Sequence, residues 1–427
     1  MKKILSIIGI AIVVVALGLF GYYYFLDKKI DPSTGTRESF REFLPFGSNT
    51  HTSPGGTQDG NNGNGNFGSS TSFTNPNQPL QVLQQITSEP VAGATMILPP
   101  LATSTLVRYV DRATGNIYDY DIPGNTLMRR TITTIPKVRE TVWSPDGSSV
   151  IMRFLENGTD FIDSYYATFD AASTSTTPEE LTGDYLPANL TQITALGSSK
   201  NIFSLTSGQS GASGFVSPIT GGSRTLVFQS PISEWDAQGI SPTKVALTTK
   251  PAGYTNGFLY FLDTNASMLT KILGNVQGLT TLTSHSGNYV LFSENNNGYT
   301  LKLLDVDNKE VIDLGLNTVP EKCAWSSDDL TVYCAVSSAP LNADYLDLWY
   351  QGVVSTSDDI WKIKPVERST ELAYKMADKN IDGINLSVDS VNGYVSFMNK
   401  KDLSLWVLRV PQDIVSPDDG TTASTTE

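Results

Sequence analysis

Trp143-Ser144-Pro145-Asp146-Gly147-Ser148-Ser149-Val150 is the stretch whose reading decides the fold. An apolar strand end runs into a tight turn, and a second apolar strand follows. Each turn residue has its reason: Pro presets φ, Asp bonds nearby backbone, and Gly accepts positive φ. Trp325-Ser326-Ser327-Asp328-Asp329-Leu330-Thr331-Val332 repeats the pattern, with Val again seven positions after Trp. Looser copies keep the apolar eighth position in Ala195 to Ile202, Thr283 to Val290 and Val388 to Val395. Ile240-Ser241-Pro242-Thr243-Lys244-Val245 is a shortened copy, and a further unit near Met96 lacks the turn.

Each unit also ends in a strand of alternating large residues. These strands are Asn116 to Ile122, Phe161 to Asp170, Gly214 to Ile219, Gly257 to Asp263, Tyr299 to Val306, Asp359 to Pro365 and Leu403 to Val410. Seven units spaced by about 40–60 residues match the four-stranded blades of a β-propeller. The predicted fold class is therefore all-β, a seven-bladed β-propeller, with tandem sandwiches as the competing architecture. An outer strand and a short lead-in to the next turn should follow each third strand, as in Met128 to Pro136. The last unit lacks one, and Leu80-Gln81-Val82-Leu83-Gln84-Gln85-Ile86-Thr87 has the missing pattern. The ring is expected to be closed by this N-terminal strand, which would remove two exposed sheet edges.

The Trp-Ser-Pro-Asp-Gly turn resembles the WD40-like repeat of bacterial β-propellers of the TolB type, over roughly residues 80–411. The resemblance implies a propeller and leaves the activity open, since such propellers serve as binding scaffolds and as accessory domains of peptidases.

Four segments are expected: an anchor at 1–30, a flexible polar linker at 31–79, the propeller at 80–411, and an acidic, Ser/Thr-rich tail at 412–427. Ile4 to Leu26 is uncharged, and at roughly 1.5 Å per residue about 23 residues span the bilayer hydrocarbon. Lys2 and Lys3 precede the run, and Tyr22, Tyr23 and Tyr24 end it with rings suited to the headgroup zone. A single-pass transmembrane helix with a cytoplasmic N-terminus and an extracytoplasmic propeller follows; a cleaved signal peptide is the alternative, with a shorter apolar run than this one. The Gly/Asn-rich stretch from Asp59 to Gly68 has too little apolar surface to order itself.

The net charge of -14 opposes nucleic-acid binding. Cys323 and Cys334, the only cysteines, flank the sixth turn. With Asp328-Asp329 at the tip they face each other at disulfide range, and the alternative is a pair of buried thiols. His51 falls in the linker, and His285 occupies the turn position of Pro145. No Gly-x-Ser-x-Gly elbow, metal-ligand spacing or phosphate loop accompanies them, so neither a cofactor nor a metal is expected. Asp305, Asp307 and Asn308 imitate part of a calcium loop without its glycine and distal Glu, which reads as a polar turn.

The sixth unit carries an insertion, Leu341 to Asp358, rich in aromatic residues. It connects second and third strands, and so belongs to the face that holds the links between blades. Tyr345, Leu348, Trp349 and Tyr350 are the candidate partner-binding residues, because Trp and Tyr dominate interface energetics. A plug over the channel mouth is the competing role. The expected function is a non-catalytic module in the cell envelope that binds or scaffolds a protein or glycan. The alternative is a carbohydrate-active enzyme using carboxylates at the channel mouth.

Overall fold

Short apolar runs separated by turn residues pair with their sequence neighbours, and in the computed structural model they form seven antiparallel sheets of four strands each. The structure describes residues 82–98, 104–155, 162–169, 177–376, 379–389 and 393–410. The expected anchor, linker and tail lie outside the described residues. Among the described residues, no helix is long and apolar enough to cross a membrane. The chain is an all-β, seven-bladed propeller.

The innermost strands of the seven sheets are Val91–Ile97, Val138–Trp143, Leu190–Ala195, Trp235–Ser241, Thr281–Thr283, Cys323–Trp325 and Gly383–Asp389. Gly383–Asp389 packs against Val91–Ile97, which brings the last sheet beside the first. In the seventh sheet the outermost strand is Leu83–Thr87, antiparallel to Leu405–Arg409, with Leu83 opposite Leu408. Gln84 Nε2 also donates to Asn125 Oδ1 at 2.7 Å, linking this strand to the first sheet.

The eight-residue spacing has a direct geometric meaning. Trp143 faces Val150, Trp325 faces Val332, Ala195 faces Ile202, Thr283 faces Val290 and Val388 faces Val395 across their hairpins. Within the turn, Ser144 Oγ donates to Asp146 Oδ1 at 2.6 Å and accepts from Ser149 N at 2.9 Å. Ser326 repeats both bonds, to Asp328 Oδ1 at 2.5 Å and from Thr331 N at 3.0 Å. Gly147 takes φ +65°. Asp329 takes the same left-handed conformation in glycine's place. Its carboxylate then accepts from His285 N at 2.8 Å and Ser286 N at 2.7 Å, so a strained residue ties one blade's turn to the next.

Packing explains the composition of the strands. Middle strands are covered on both faces, and every residue of Val332–Ser337 and of Tyr394–Asn399 is buried. The outer strand Thr126–Arg129 is wholly exposed. Of the expected outer strand and lead-in over Met128 to Pro136, the strand begins two residues earlier, at Thr126, and ends at Arg129, so most of that stretch is lead-in. Beyond Arg129 the chain forms a parallel bridge, Thr131 to Glu179 of the second blade, and Ile135 N donates to Thr114 O of its own blade at 2.7 Å. Apolar clusters fill the spaces between adjacent sheets. Val110 and Ile117 meet Val138 and Met152 between the first two, and Tyr394 and Leu405 meet Val107 and Tyr120 between the last and the first.

Cys323 and Cys334 are directly opposed and joined by a disulfide, with Cα atoms 4.0 Å apart. Both sit in the cluster between the fifth and sixth sheets.

A charged tie crosses the first interface. Arg108, fully buried, grips Asp119 with two bonds of 2.6 Å and donates to Gly147 O of the second blade's turn at 2.8 Å. Removing Arg108 takes away both short bonds of a buried carboxylate and leaves it only Arg130 Nε at 3.7 Å. Arg108→Ala is therefore expected to lower unfolding free energy by about 3–5 kcal/mol in denaturant titrations. Arg108→Met combined with Asp119→Leu should recover part of that loss, since it also removes the carboxylate that faces Arg130. An unchanged single variant would show that the pair is not what holds this interface.

Candidate binding cavity and its roof

The insertion of the sixth sheet folds back over the propeller instead of projecting from it. Its apolar side chains recur at helical spacing, and Tyr345–Tyr350 forms a short α-helix, α1. Tyr345, Leu346 and Trp349 are buried with Tyr299, Val319 and Leu341. Leu348 is half-buried, and Tyr350 keeps 45% of its surface exposed. Of the four residues singled out in the sequence, Tyr345 and Trp349 thus face inward, and Leu348 and Tyr350 face solvent.

Polar bonds fasten the helix to four blades. Asp347 Oδ1 accepts from Gly253 N at 2.9 Å, and Asn295 Nδ2 donates to Ala343 O at 2.9 Å. Tyr350 Oη donates to Glu321, and Lys400 Nζ donates to Trp349 O at 2.8 Å. Lys400 also stands 4.9 Å from the centre of a Trp349 ring, within cation–π range.

Beneath α1 lies a buried ionic cluster. Lys322 Nζ reaches Asp358 Oδ2 and Asp382 Oδ1, each at 2.7 Å, and Thr356 Oγ1 at 2.5 Å. One ammonium balances only one carboxylate. Burial pushes Asp382 up, but Lys322 and the Trp349 indole N–H, 3.0 Å away, outweigh it and hold this carboxyl below its usual range. Burial prevails at Asp358 and raises it.

At the edge of this roof opens a cavity of about 560 Å³. Gln192 and Asp236 come from the inner strands of the third and fourth sheets, and Trp235 stands beside Asp236. Glu321 comes from the single turn before the sixth inner strand, and Tyr350 from the end of α1. Burial within the cavity wall raises the Asp236 carboxyl, and the charge of Glu140 adds to the effect. Asp236 keeps contact with solvent through the cavity while protein surrounds it on the other sides. Burial also raises Glu321, despite bonds from Tyr350 and, at 2.9 Å, from Thr280 Oγ1; Asp236's charge pushes it the same way. Glu234 at the rim is paired with Lys250 at 2.7 Å.

This constellation can orient hydroxyl and amide groups against aromatic walls, and it holds two carboxyls biased toward the protonated form. Among the described residues, no group of three or more His, Cys, Asp or Glu side chains could hold a metal ion. His285 lies away from the cavity lining, with Nδ1 2.9 Å from Asp329 Oδ1. Asp305 accepts from Asn308 N at 3.0 Å and Asn308 Nδ2 at 2.9 Å, a self-contained polar turn. Sequence reasoning singled out Tyr350 but missed Gln192, Asp236 and Glu321. They stand at or just before the starts of inner strands, where nothing in composition marks which side chains point into the axis.

No family model matches the chain, and no curated protein matches it. Solved structures do share its architecture. An oligogalacturonate lyase in complex with manganese aligns with a TM-score of 0.51 at 9% identity, covering 77% of this chain and 93% of that one. Oligogalacturonate lyase from Vibrio parahaemolyticus aligns with 0.51 at 8% identity, over 77% and 93% of the two chains. TolB from Acinetobacter baumannii aligns with 0.40 at 11% identity, over 75% of this chain and 64% of that one. At such identities the likeness is one of fold alone.

Two outcomes follow from this geometry. Because the folded state holds Asp236 protonated to higher pH than the unfolded chain, its ionisation costs stability as pH rises above the ordinary aspartate value of 3.8. Asp236→Asn is expected to raise the melting temperature at pH 7, with the difference from wild type vanishing below about pH 3.5. A variant that melts lower at neutral pH would reverse the assigned sign. Trp349→Ala, which empties a buried aromatic site, is expected to cost about 3–5 kcal/mol in denaturant titration.

Proposed function

We propose that this chain is a membrane-anchored, extracytoplasmic β-propeller that acts without catalysis, holding a protein or glycan partner in the cavity beside the sixth-blade insertion. The observation that carries the reading is the cavity itself. It is open, large enough for one or two sugar rings or a few side chains, and walled by Trp235 and Tyr350 beside Gln192, Asp236 and Glu321. Concave sites with apolar walls and few convergent polar groups are where propellers and other rigid scaffolds bind ligands. The bonds from α1 to neighbouring blades preorganise the rim, so little ordering entropy is lost on capture.

Membership of the WD40-like, TolB-type propellers is the corresponding family reading, supported by the Ser-x-Asp turn chemistry shared by the second and sixth hairpins. In this reading the strand Leu83–Thr87 closes the ring by joining the chain's two ends, and Ile4 to Leu26 fixes the propeller to the cell membrane as a single-pass helix with a cytoplasmic N-terminus. The uncharged length of that run supports a span.

A second reading has a specific observation behind it. Asp236 and Glu321 share one cavity, and their carboxyls are both raised, the condition for a general acid near neutral pH. A lyase or glycosidase working from that pair is the enzymatic alternative, and the fold shared with the oligogalacturonate lyases is compatible with it.

Capture from living cells distinguishes the readings. Proximity labelling by the full chain should recover a partner set that Tyr350→Ala depletes about tenfold or more while melting stays within a few degrees of wild type. Partner recovery unaffected by Tyr350→Ala would remove the cavity rim from the binding surface. Conversion of an acidic or neutral oligosaccharide that is abolished by Asp236→Asn would replace the binding reading with the enzymatic one.

A further inference from the structure

The same face of the propeller carries a second cavity, between the first and second sheets. Its volume is about 430 Å³, and it is lined by Pro90, Arg112, Ala113, Lys137, Arg139 and Leu155. Arg112 follows the second strand of the first sheet, Leu106–Asp111, and Lys137 and Arg139 stand at the entry to Val138–Trp143. Both connections emerge on the insertion-bearing face, because second-to-third loops and links between blades share one end of the strands.

Three cations and no carboxylate line this space, in a chain whose net charge is -14. Among the described residues, none of the three side chains makes an ion pair or a side-chain hydrogen bond. Several other cations on this face are engaged: Lys250 holds Glu234, Arg153 holds Glu140 at 2.7 Å, and Lys400 Nζ donates to Trp349 O. Arg112 is half-buried, and burial together with the charge of Arg139 lowers its pKa. Two guanidiniums close enough to oppose each other's charge, with no acid between them, form an arrangement that an anion would stabilise.

We propose that Arg112, Lys137 and Arg139 form a binding site for the acidic group of an anionic sugar, a residue carrying carboxylate, sulfate or phosphate. Guanidiniums present paired N–H donors that match the oxygens of such groups. Pro90, Ala113 and Leu155 give the apolar wall on which the C–H face of a sugar ring packs. Extended polyanions fit poorly, since the chain's overall negative charge repels a nucleic acid or an anionic bilayer brought to this face. A discrete acidic group on a short ligand meets the three local cations and little else. None of these residues lines the Asp236 cavity.

The test is calorimetric titration of the full-length chain with a sulfated, uronate-bearing disaccharide, and with its neutral parent as control. The acidic disaccharide should bind and the neutral one should not. Arg112→Gln and Lys137→Gln/Arg139→Gln should each weaken binding by about tenfold or more with unchanged melting, and added salt should weaken it in the wild type. Tyr350→Ala should leave this binding unchanged. Equal affinity in wild type and variants overturns the assignment, as does absence of binding. Retention of inorganic phosphate, an acidic peptide or phosphatidylserine vesicles without the disaccharide overturns the sugar as ligand.

Discussion

A sheet with two apolar faces has to be covered on both, and this constraint governs the molecule. The second strands are buried over half their length or more, and Val332–Ser337 and Tyr394–Asn399 from end to end. Left alone, such a sheet would expose both apolar faces to water. Each therefore lends one face to the blade before it and the other to the blade after it, and the apolar clusters lie between sheets. Burial at about 25 cal/mol per Å² is nondirectional, so it favours stacking without choosing an angle or register.

Direction comes from polar ties between blades. Arg108 joins the first blade to the turn of the second, and Asp329 joins the sixth turn to the fifth. Gln84 and Asn125 bring the N-terminal strand against the first sheet. Such bonds are costly to bury and costly to break, and they penalise any arrangement in which the blades slide or rotate. The Lys322 cluster extends the same logic to the roof. A short helix holding few residues could not stay folded by itself, yet bonds to neighbouring blades keep α1 in place.

A consequence of this rigid frame is an uneven distribution of charge on one face. Raised carboxyls line the cavity shared by the third, fourth and sixth blades, and Arg112, Lys137 and Arg139 gather between the first and second. Neither grouping contributes to burying the sheets, and like charges brought together cost stability. Both groupings lie on the face that also carries α1, the face to which the proposed binding is assigned.

Much of the architecture was legible in the chain itself. The interval from Trp143 to Val150, repeated from Trp325 to Val332, encodes a hairpin register, because a tight turn and a two-residue strand period leave only one pairing. The same logic located the opposition of Cys323 and Cys334. Strand ends were less legible: within Met128 to Pro136 the strand stops at Arg129, and the lead-in beyond it bridges in parallel to Glu179 of the second blade, a contact that depends on how two blades meet. The candidate site was legible only at Tyr350, through the aromatic density of the insertion. Gln192, Asp236 and Glu321 come from three blades, and Arg112, Lys137 and Arg139 from two. Periodicity and turn chemistry act over neighbouring residues and so determine strands, hairpins and the number of blades. Which side chains converge on the axis, and which charges lose their solvent, is set by the rotation of each blade against the next, and only the assembled ring decides that.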